Sequence, residues 1–129
     1  MRALVVDDSR AMRSILSHAL REFGFEITEA CNGREALSRL EQMDHFRLAL
    51  VDWNMPELNG IDFVRRVRSD ARYNNLLIMM VTTETESSQI ALALQEGANE
   101  YVMKPFTKDV IRKKLELLGL LSDQTPTAV

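Results

Sequence analysis

The chain has 129 residues, of which 16 are Lys or Arg and 19 are Asp or Glu, so its formal net charge is −3. This length fits one domain and is enough to bury a core without a disulfide or a structural metal. A mildly acidic total argues against a nucleic-acid binder, which usually carries a basic excess. The single cysteine, Cys31, excludes an intramolecular disulfide and fits a reducing compartment.

Strand-length apolar runs alternate with helical patterns along the chain. Residues 3–6, 48–52 and 76–81 are apolar runs typical of buried strands, whereas residues 26–30 alternate and residues 101–103 are short. Between these runs, apolar residues recur every three or four positions. That spacing predicts helices over about 12–23, 34–42, 61–67, 90–96 and 107–118.

Five strands alternating with five helices predict an α/β fold in which helices cover both faces of a parallel sheet. With the continuous apolar strands at the centre, the strand order is 2-1-3-4-5, the flavodoxin-like (βα)5 three-layer sandwich. We expect one domain over residues 1–121 and a disordered polar tail over residues 122–129. Ligands of such sheets bind at the carboxyl ends of the strands, here where the order reverses between strands one and three.

No membrane segment or secretion signal is expected. Acidic residues follow only four apolar positions at the N-terminus, which does not fit a signal peptide. The longest uncharged stretch, residues 73–83, is too short to cross a bilayer. We therefore expect a cytoplasmic protein.

Polar side chains follow four of the strands at their carboxyl ends. Asp7 and Asp8 follow the first strand, and Asp52 ends the third. Thr82 follows the fourth strand and Lys104 the fifth. The predicted sheet brings these residues to one crevice, where three carboxylates repel one another. Two unit charges about 4 Å apart cost on the order of 4 kcal/mol at an effective dielectric near 20.

A cation must relieve this repulsion, and the sequence leaves two candidates, the Lys104 ammonium and a hard divalent cation. Mg²⁺ is usually held by one or two carboxylates together with water and phosphate oxygens, and Mn²⁺ accepts similar ligands. The sequence has no cluster of His and Cys that would favour zinc. An Asp beside such a cation can attack phosphorus and form an aspartyl phosphate.

Four stretches around these residues carry a family resemblance. They are VDD at residues 6–8, VDWNMP at 51–56 with Gly60, VTTE at 81–84 and GANEYVMKPF at 97–106. With them the chain resembles, over about residues 2 to 120, the receiver domain of bacterial two-component response regulators. Within that family it is most similar to the stand-alone chemotaxis regulators.

The resemblance implies a phosphorylation site. Asp52 is the implied phosphoacceptor, supplied by a histidine kinase or a histidine phosphotransfer protein. Asp7, Asp8 and Asp52 are the implied Mg²⁺ ligands, with Asp8 the more direct of the first two. The backbone carbonyl of Asn54 completes the protein ligands.

The resemblance also implies residues that respond to the phosphoryl group. Thr82 and Lys104 each contact a phosphoryl oxygen, and the bond between Lys104 and Pro105 is cis. Tyr101 is the switch aromatic, which turns inward when Thr82 moves toward the phosphate. Spacing alone favours an edge-strand aromatic that covers the core at Tyr101, and its position three residues before Lys104, which matches the family, reverses that preference.

Two further positions tune the lifetime of the phosphorylated state in the family. Asn54 and Glu84, each two residues after a site residue, are polar here, and we expect rapid self-dephosphorylation.

Trp53 is expected to be partly exposed beside the phosphoacceptor and to report cation binding by fluorescence. Arg65, Arg66 and Arg68 are interpreted as solvated charges.

The resemblance places the output face on helix four, strand five and helix five. Its residues here are Ile90, Leu94, Tyr101, Met103, Lys113 and Lys114. Lys113 and Lys114 fit a plain solvated helix face equally well. We expect no output domain after residue 121, so the implied target is a separate protein, a flagellar motor switch protein in the chemotaxis case. We expect a monomeric signalling module, not an enzyme, that binds neither nucleic acid nor membranes.

Alternative functions remain at this stage. A relay intermediate or a kinase-regulating receiver outside chemotaxis has the same residues. A phosphatase of the haloacid-dehalogenase type also forms an aspartyl phosphate, but its second Asp, the general acid or base, corresponds here to Asn54. A flavodoxin-like electron carrier needs a Ser-, Thr- and Gly-rich phosphate loop after strand one, where Asp7 and Asp8 would repel the flavin phosphate.

Overall fold

The structure, a computed structural model, describes residues 1–55, 58–83 and 89–121. Its first half contains β1 (Arg2–Val6), α1 (Arg10–Glu22), β2 (Glu26–Ala30), α2 (Gly33–Gln42) and β3 (Phe46–Asp52). Its second half contains α3 (Gly60–Arg68), a 3₁₀ turn (Ala71–Tyr73), β4 (Leu77–Thr83), α4 (Ile90–Glu96), β5 (Glu100–Lys104) and α5 (Lys108–Leu117). The expected tail and the positions of Pro56 and Glu84 lie outside the described residues.

The five strands form one parallel sheet in the order β2-β1-β3-β4-β5. This confirms the predicted flavodoxin-like arrangement, with β1 and β3 adjacent at the centre. The strands at the two edges, β2 and β5, are the alternating and the short segments of the sequence. The register pairs Val6 with Val51 and Asp52 with Val81, so the carboxyl ends of these strands lie at one edge.

Two hydrophobic clusters, one on each face of the sheet, hold the layers together. Leu4 and Val6 of β1 belong to one cluster, and Ala3 and Val5 belong to the other, as the two-residue period of a strand requires. The first cluster receives α2, α3 and α4, for example through Phe63. The second receives α1 and α5 through Leu16, Leu20, Ile111 and Leu115.

Side-chain caps start four of the helices. Ser9, Asn32, Asn59 and Thr107 each accept a hydrogen bond from a backbone N–H in the first turn. Such caps satisfy donors that the helix itself leaves without a partner. The caps of α1 and α5 follow soon after the ends of β1 and β5. The connections beside the site residues are therefore short.

Arg68 differs from its expected role as a solvated charge. Its guanidinium donates to the carbonyl oxygens of Gly97 at 2.9 Å, Tyr73 at 2.8 Å and Leu76 at 2.6 Å. It also donates to Asn99 Oδ1 at 2.8 Å. Partial burial lowers the pKa of Arg68 from its usual value. One side chain therefore ties the end of α3 to the segments that precede β4 and β5, a role that charge patterning cannot predict.

We expect Arg68→Met to lower the free energy of unfolding by about 2–3 kcal/mol, because several carbonyl oxygens lose a charged donor. Urea denaturation followed by circular dichroism measures this change. The matched control is Arg66→Met, which removes an exposed arginine from the same helix. Equal losses of stability in the two variants would show that the Arg68 hydrogen bonds do not matter.

Candidate functional site

Three carboxylates lie together at the carboxyl edge of the sheet. Asp7 follows β1 directly and is 1% exposed, and Asp52 ends β3 and is 6% exposed. Asp8 is exposed beside them. One oxygen from each carboxylate lies within 4.8 Å of the others, and among the described residues this is the one cluster of potential metal ligands. The parallel pairing of β1 with β3 brings Asp7 and Asp52 together, although they are 45 positions apart in the sequence.

The ammonium group of Lys104 is the cation nearest to this cluster. Its Nζ donates to Asp52 Oδ1 at 3.0 Å and lies 3.8 Å from Asp7 Oδ2. The second distance is too long for a hydrogen bond. Three carboxyl groups therefore share Lys104, with a smaller contribution at Asp7 from the charge of Arg13. The peptide bond that follows, between Lys104 and Pro105, is cis.

Asp7 has one oxygen that is bonded and one that is not. Oδ1 accepts a hydrogen bond from the backbone N–H of Ser9 at 2.8 Å. Oδ2 is buried and has no hydrogen-bond partner. A buried carboxylate oxygen without a partner is costly unless a further positive group satisfies it.

Burial shifts the titration of two of these carboxyls. Burial raises the pKa of Asp52 to about 6; the hydrogen bond from Lys104 lowers it and the charge of Asp7 raises it. Burial also raises the pKa of Asp7, although the bond from Ser9 and the charge of Lys104 oppose the shift. Ionising these two carboxyls therefore costs more free energy in the folded protein than in water.

These features fit a hard divalent cation. The donors are carboxylate oxygens, as Mg²⁺ and Mn²⁺ require, and Asp7 Oδ2 is an orphaned acceptor among them. Asn54, whose carbonyl is the further ligand that the sequence suggests, follows β3 and is exposed.

Thr82 and Tyr101 lie on one side of the carboxylates. Thr82 is 1% exposed, and its hydroxyl lies 3.4 Å from the carbonyl oxygen of Thr83. A small pocket between β4, α4 and β5 is lined by Thr82, Tyr101 and Trp53 together with Met80, Ile90, Ala93, Leu94 and Glu100. The two residues that the sequence links as a switch thus share one internal space.

The expectation that Trp53 is partly exposed is wrong. Its side chain is only 8% exposed and belongs to the cluster that α2, α3 and α4 cover. Its position after β3 turns the indole into this cluster, although it lies next to Asp52 in the sequence. An indole that lines the same pocket as Thr82 remains well placed to report changes there.

Sequence reasoning missed Arg13. Its Nη1 donates to the backbone carbonyl of Asp7 at 2.7 Å, and its Nε donates to Glu29 Oε1 at 3.2 Å. This arginine of α1 therefore fixes the backbone that carries Asp7 and joins it to β2. Arg13 lies one to two helical turns after Asp7 and Asp8, so its spacing indicates that it is near them. The spacing does not identify the atom to which Arg13 donates.

The residues proposed for the output face differ in their surroundings. Leu94 is 41% exposed and Lys113 is exposed, whereas Ile90, Tyr101, Met103 and Lys114 are partly buried. The Nζ of Lys114 lies 3.0 Å from Glu100 Oε1 and 4.3 Å from the centre of the Tyr101 ring. Lys114 is therefore engaged within the molecule, unlike Lys113.

Comparison with known proteins gives consistent matches over nearly the whole chain. Residues 3–116 match the family model described as the response regulator receiver domain. Chemotaxis protein CheY1 of Helicobacter pylori is 44% identical over 119 residues, which are 92% of this chain and 96% of that protein. Chemotaxis protein CheY of Pseudomonas aeruginosa is 45% identical over 117 residues, 90% and 94% of the two chains.

Solved structures agree with the sequence matches. The chemotaxis protein CheY4 of Vibrio cholerae superimposes with a TM-score of 0.82 at 35% identity, covering 90% of this chain and 96% of that one. A two-component response regulator/GGDEF domain protein superimposes with a TM-score of 0.86, covering 93% of this chain and 50% of that one. Among the described residues, no helix has the length and apolar character needed to cross a membrane.

The raised pKa of Asp52 predicts how stability depends on pH. The folded pKa of about 6 exceeds the ordinary 3.8, so the folded chain holds the proton more tightly. This contribution is complete below pH 3.8 and is lost as the pH rises through 6. Without divalent cations, Asp52→Asn should raise the free energy of unfolding at pH 7 by on the order of 2 kcal/mol.

Urea denaturation at pH 5 and pH 7 tests this expectation. In the wild-type protein the stability falls between the two values, and Asp52→Asn removes most of that fall. Asp44→Asn serves as the control, because Asp44 is an exposed carboxyl away from the cluster. An Asp52→Asn variant that keeps the wild-type dependence on pH would contradict the raised pKa.

Proposed function

The chain belongs to the response regulator receiver domain family, and from that premise we propose that it signals by accepting a phosphoryl group on Asp52. Its relatives of similar length are chemotaxis regulators. The observation that carries the proposal is the Asp52 carboxylate, which is buried, bonded to Lys104 and surrounded by acidic oxygens. In phosphoryl transfer, fixed positioning of the nucleophile and neutralisation of charge contribute more than the basicity of the nucleophile.

The transfer is a substitution at phosphorus. A carboxylate oxygen of Asp52 attacks the phosphorus of a phosphohistidine, and the new P–O bond replaces the P–N bond. The imidazole leaves with the electron pair of that bond and takes up a proton from water. In a small acyl phosphate the leaving group is a carboxylate. Asp52 must be ionised to attack, so the reaction slows once the pH falls below the Asp52 pKa of the cation-loaded site, which lies below the value of about 6 for the free protein.

Lys104 and Thr82 act on the oxygens of the arriving group. Lys104 already lies 3.0 Å from Asp52 Oδ1, so its ammonium can move to a phosphoryl oxygen over a short distance. The hydroxyl of Thr82 is buried on the same side and can donate to a second oxygen. Positioning the groups and stabilising the charge of the transferred phosphoryl group are the main requirements of phosphoryl transfer.

Asp7, Asp8, Asp52 and the backbone carbonyl of Asn54 would hold Mg²⁺, or Mn²⁺ in its place. Bound there, the cation neutralises acidic and phosphoryl oxygens. Asp7 Oδ2 is the buried acceptor that supports this assignment. Arg13 keeps the backbone of Asp7 in position through its bond to the Asp7 carbonyl.

The donor and the target complete the proposal. We assign the donor as a histidine kinase or a histidine phosphotransfer protein in the cytoplasm. The target is a separate protein that docks on the face formed by α4, β5 and α5, and a flagellar motor switch protein fits the chemotaxis relatives. The chain acts as a monomeric signalling module whose chemistry is limited to its own phosphorylation and dephosphorylation.

Acetyl phosphate with Mg²⁺ should add one phosphoryl group per chain, which intact-mass spectrometry detects. Asp52→Asn should abolish the addition, because an amide is not a nucleophile toward phosphorus. Asp44→Asn should leave it unchanged. Labelling of the Asp52→Asn protein at the wild-type rate and stoichiometry would exclude Asp52 as the acceptor.

The phosphoryl group should leave within minutes in Mg²⁺ without any phosphatase. Asn54 is polar and exposed beside Asp52, so water has access to the acyl phosphate. A chase after removal of the phosphodonor, followed by mass spectrometry, gives the half-life. Asn54→Met should lengthen it, because an apolar side chain at this position excludes water. A wild-type half-life of hours would be inconsistent with the expected water access.

A further inference from the structure

One carboxylate at the sheet edge bonds two groups beside the Tyr101 ring. Glu100 Oε1 accepts the backbone N–H of Tyr101 at 3.0 Å and the ammonium of Lys114 at 3.0 Å. The same ammonium lies 4.3 Å from the centre of the Tyr101 ring. Glu100 and Lys114 are 18% and 22% exposed, so their contact is partly shielded from water.

This geometry restrains the aromatic ring from two sides. One face of the ring contacts the cation from α5, an attraction that depends on the cation lying over the ring. On the side of the core, Tyr101 packs against the hydrophobic cluster that α2, α3 and α4 cover. Glu100 holds the cation in place, because its carboxylate is already fixed by the Tyr101 N–H.

We propose that Glu100 and Lys114 form a latch that holds the Tyr101 side chain in this orientation and opposes its rearrangement on phosphorylation. Both are positioning residues, since they act through Tyr101 and do not touch Asp52. The proposal rests on the proposed function for its regulatory meaning, but the restraint on the ring is a property of the protein alone.

The latch favours the arrangement in which Lys104 is bonded to Asp52. Lys104 ends the same strand that carries Glu100 and Tyr101, and it must leave Asp52 Oδ1 to reach a phosphoryl oxygen. An apparent affinity falls when the competent conformation is a minor population. Loss of the latch should therefore make the protein respond to a phosphoryl analogue at lower concentration.

The first test follows Tyr101 directly. Fluorine NMR of protein labelled with 3-fluorotyrosine gives two signals, because the chain contains two tyrosines, Tyr73 and Tyr101. Tyr73→Phe assigns them. Lys114→Met keeps the length of the side chain and removes its charge, so it should move the Tyr101 signal and leave that of Tyr73 unchanged. Glu100→Gln should move the Tyr101 signal in the same direction.

Lys113→Met is the matched control, because Lys113 is the exposed neighbour on the same helix. It removes an equal charge from the last turns of α5 and should leave the Tyr101 signal in place. If Lys114→Met and Lys113→Met give the same Tyr101 signal as the wild-type protein, the latch does not exist.

The second test measures the regulatory effect with beryllofluoride and Mg²⁺, monitored by the fluorescence of Trp53. Lys114→Met should lower the half-saturating concentration of beryllofluoride by about threefold, the size expected for one partly exposed cation–π contact. The double variant Glu100→Gln/Lys114→Met should have the same half-saturating concentration as Lys114→Met alone, because both changes remove the same latch. An unchanged or raised half-saturating concentration in Lys114→Met would overturn the latch.

The two proposals can fail separately. If no protein, including the wild type, responds to beryllofluoride, the assignment of Asp52 as phosphoacceptor fails, while the NMR test of the ring still decides the latch. If the wild type responds and Lys114→Met responds identically, the phosphoacceptor assignment stands and the latch fails.

Discussion

Electrostatic repulsion among three carboxylates at one sheet edge is the constraint on which the rest of the site depends. Asp7 and Asp52 are buried, and the Lys104 ammonium offsets their charge, with a smaller contribution at Asp7 from Arg13. Uncharged residues at these positions would make the folded protein more stable, because burial of each charge costs free energy. In the proposed function, these charges allow the site to bind a divalent cation and then a phosphoryl group.

The fold serves this constraint through its central strands. β1 and β3 are paired and covered on both faces, so Asp7 and Asp52 at their ends are held in fixed, buried positions. Arg13 and Ser9 then fix Asp7 from the start of α1. The charge balance of the chain, close to neutral, conceals this local excess completely. In the proposed function, the response to phosphorylation passes along β5, the short strand that carries both Lys104 and Tyr101.

The sequence predicts most of the fold and the cluster, and the reasons are physical. Apolar periodicity predicted the strands, and parallel pairing then required Asp7, Asp8 and Asp52 to meet. Side-chain direction and specific partners were not predictable in this way. Trp53 follows an acidic residue, yet its side chain packs into the core. In the sequence, Arg68 is not distinguishable from the other arginines of α3. The contact of Lys114 with Glu100 depends on how α5 lies against β5, which no local pattern specifies.

The ionisation of Asp52 tests the central claim most directly. Carbon-13 NMR of the aspartate carboxyl groups, assigned with Asp52→Asn, follows its titration with and without Mg²⁺. The account predicts an apparent pKa of about 6 for Asp52 in the free protein and a marked fall when Mg²⁺ is added. A carboxyl that titrates near its ordinary 3.8 and does not respond to Mg²⁺ would contradict it.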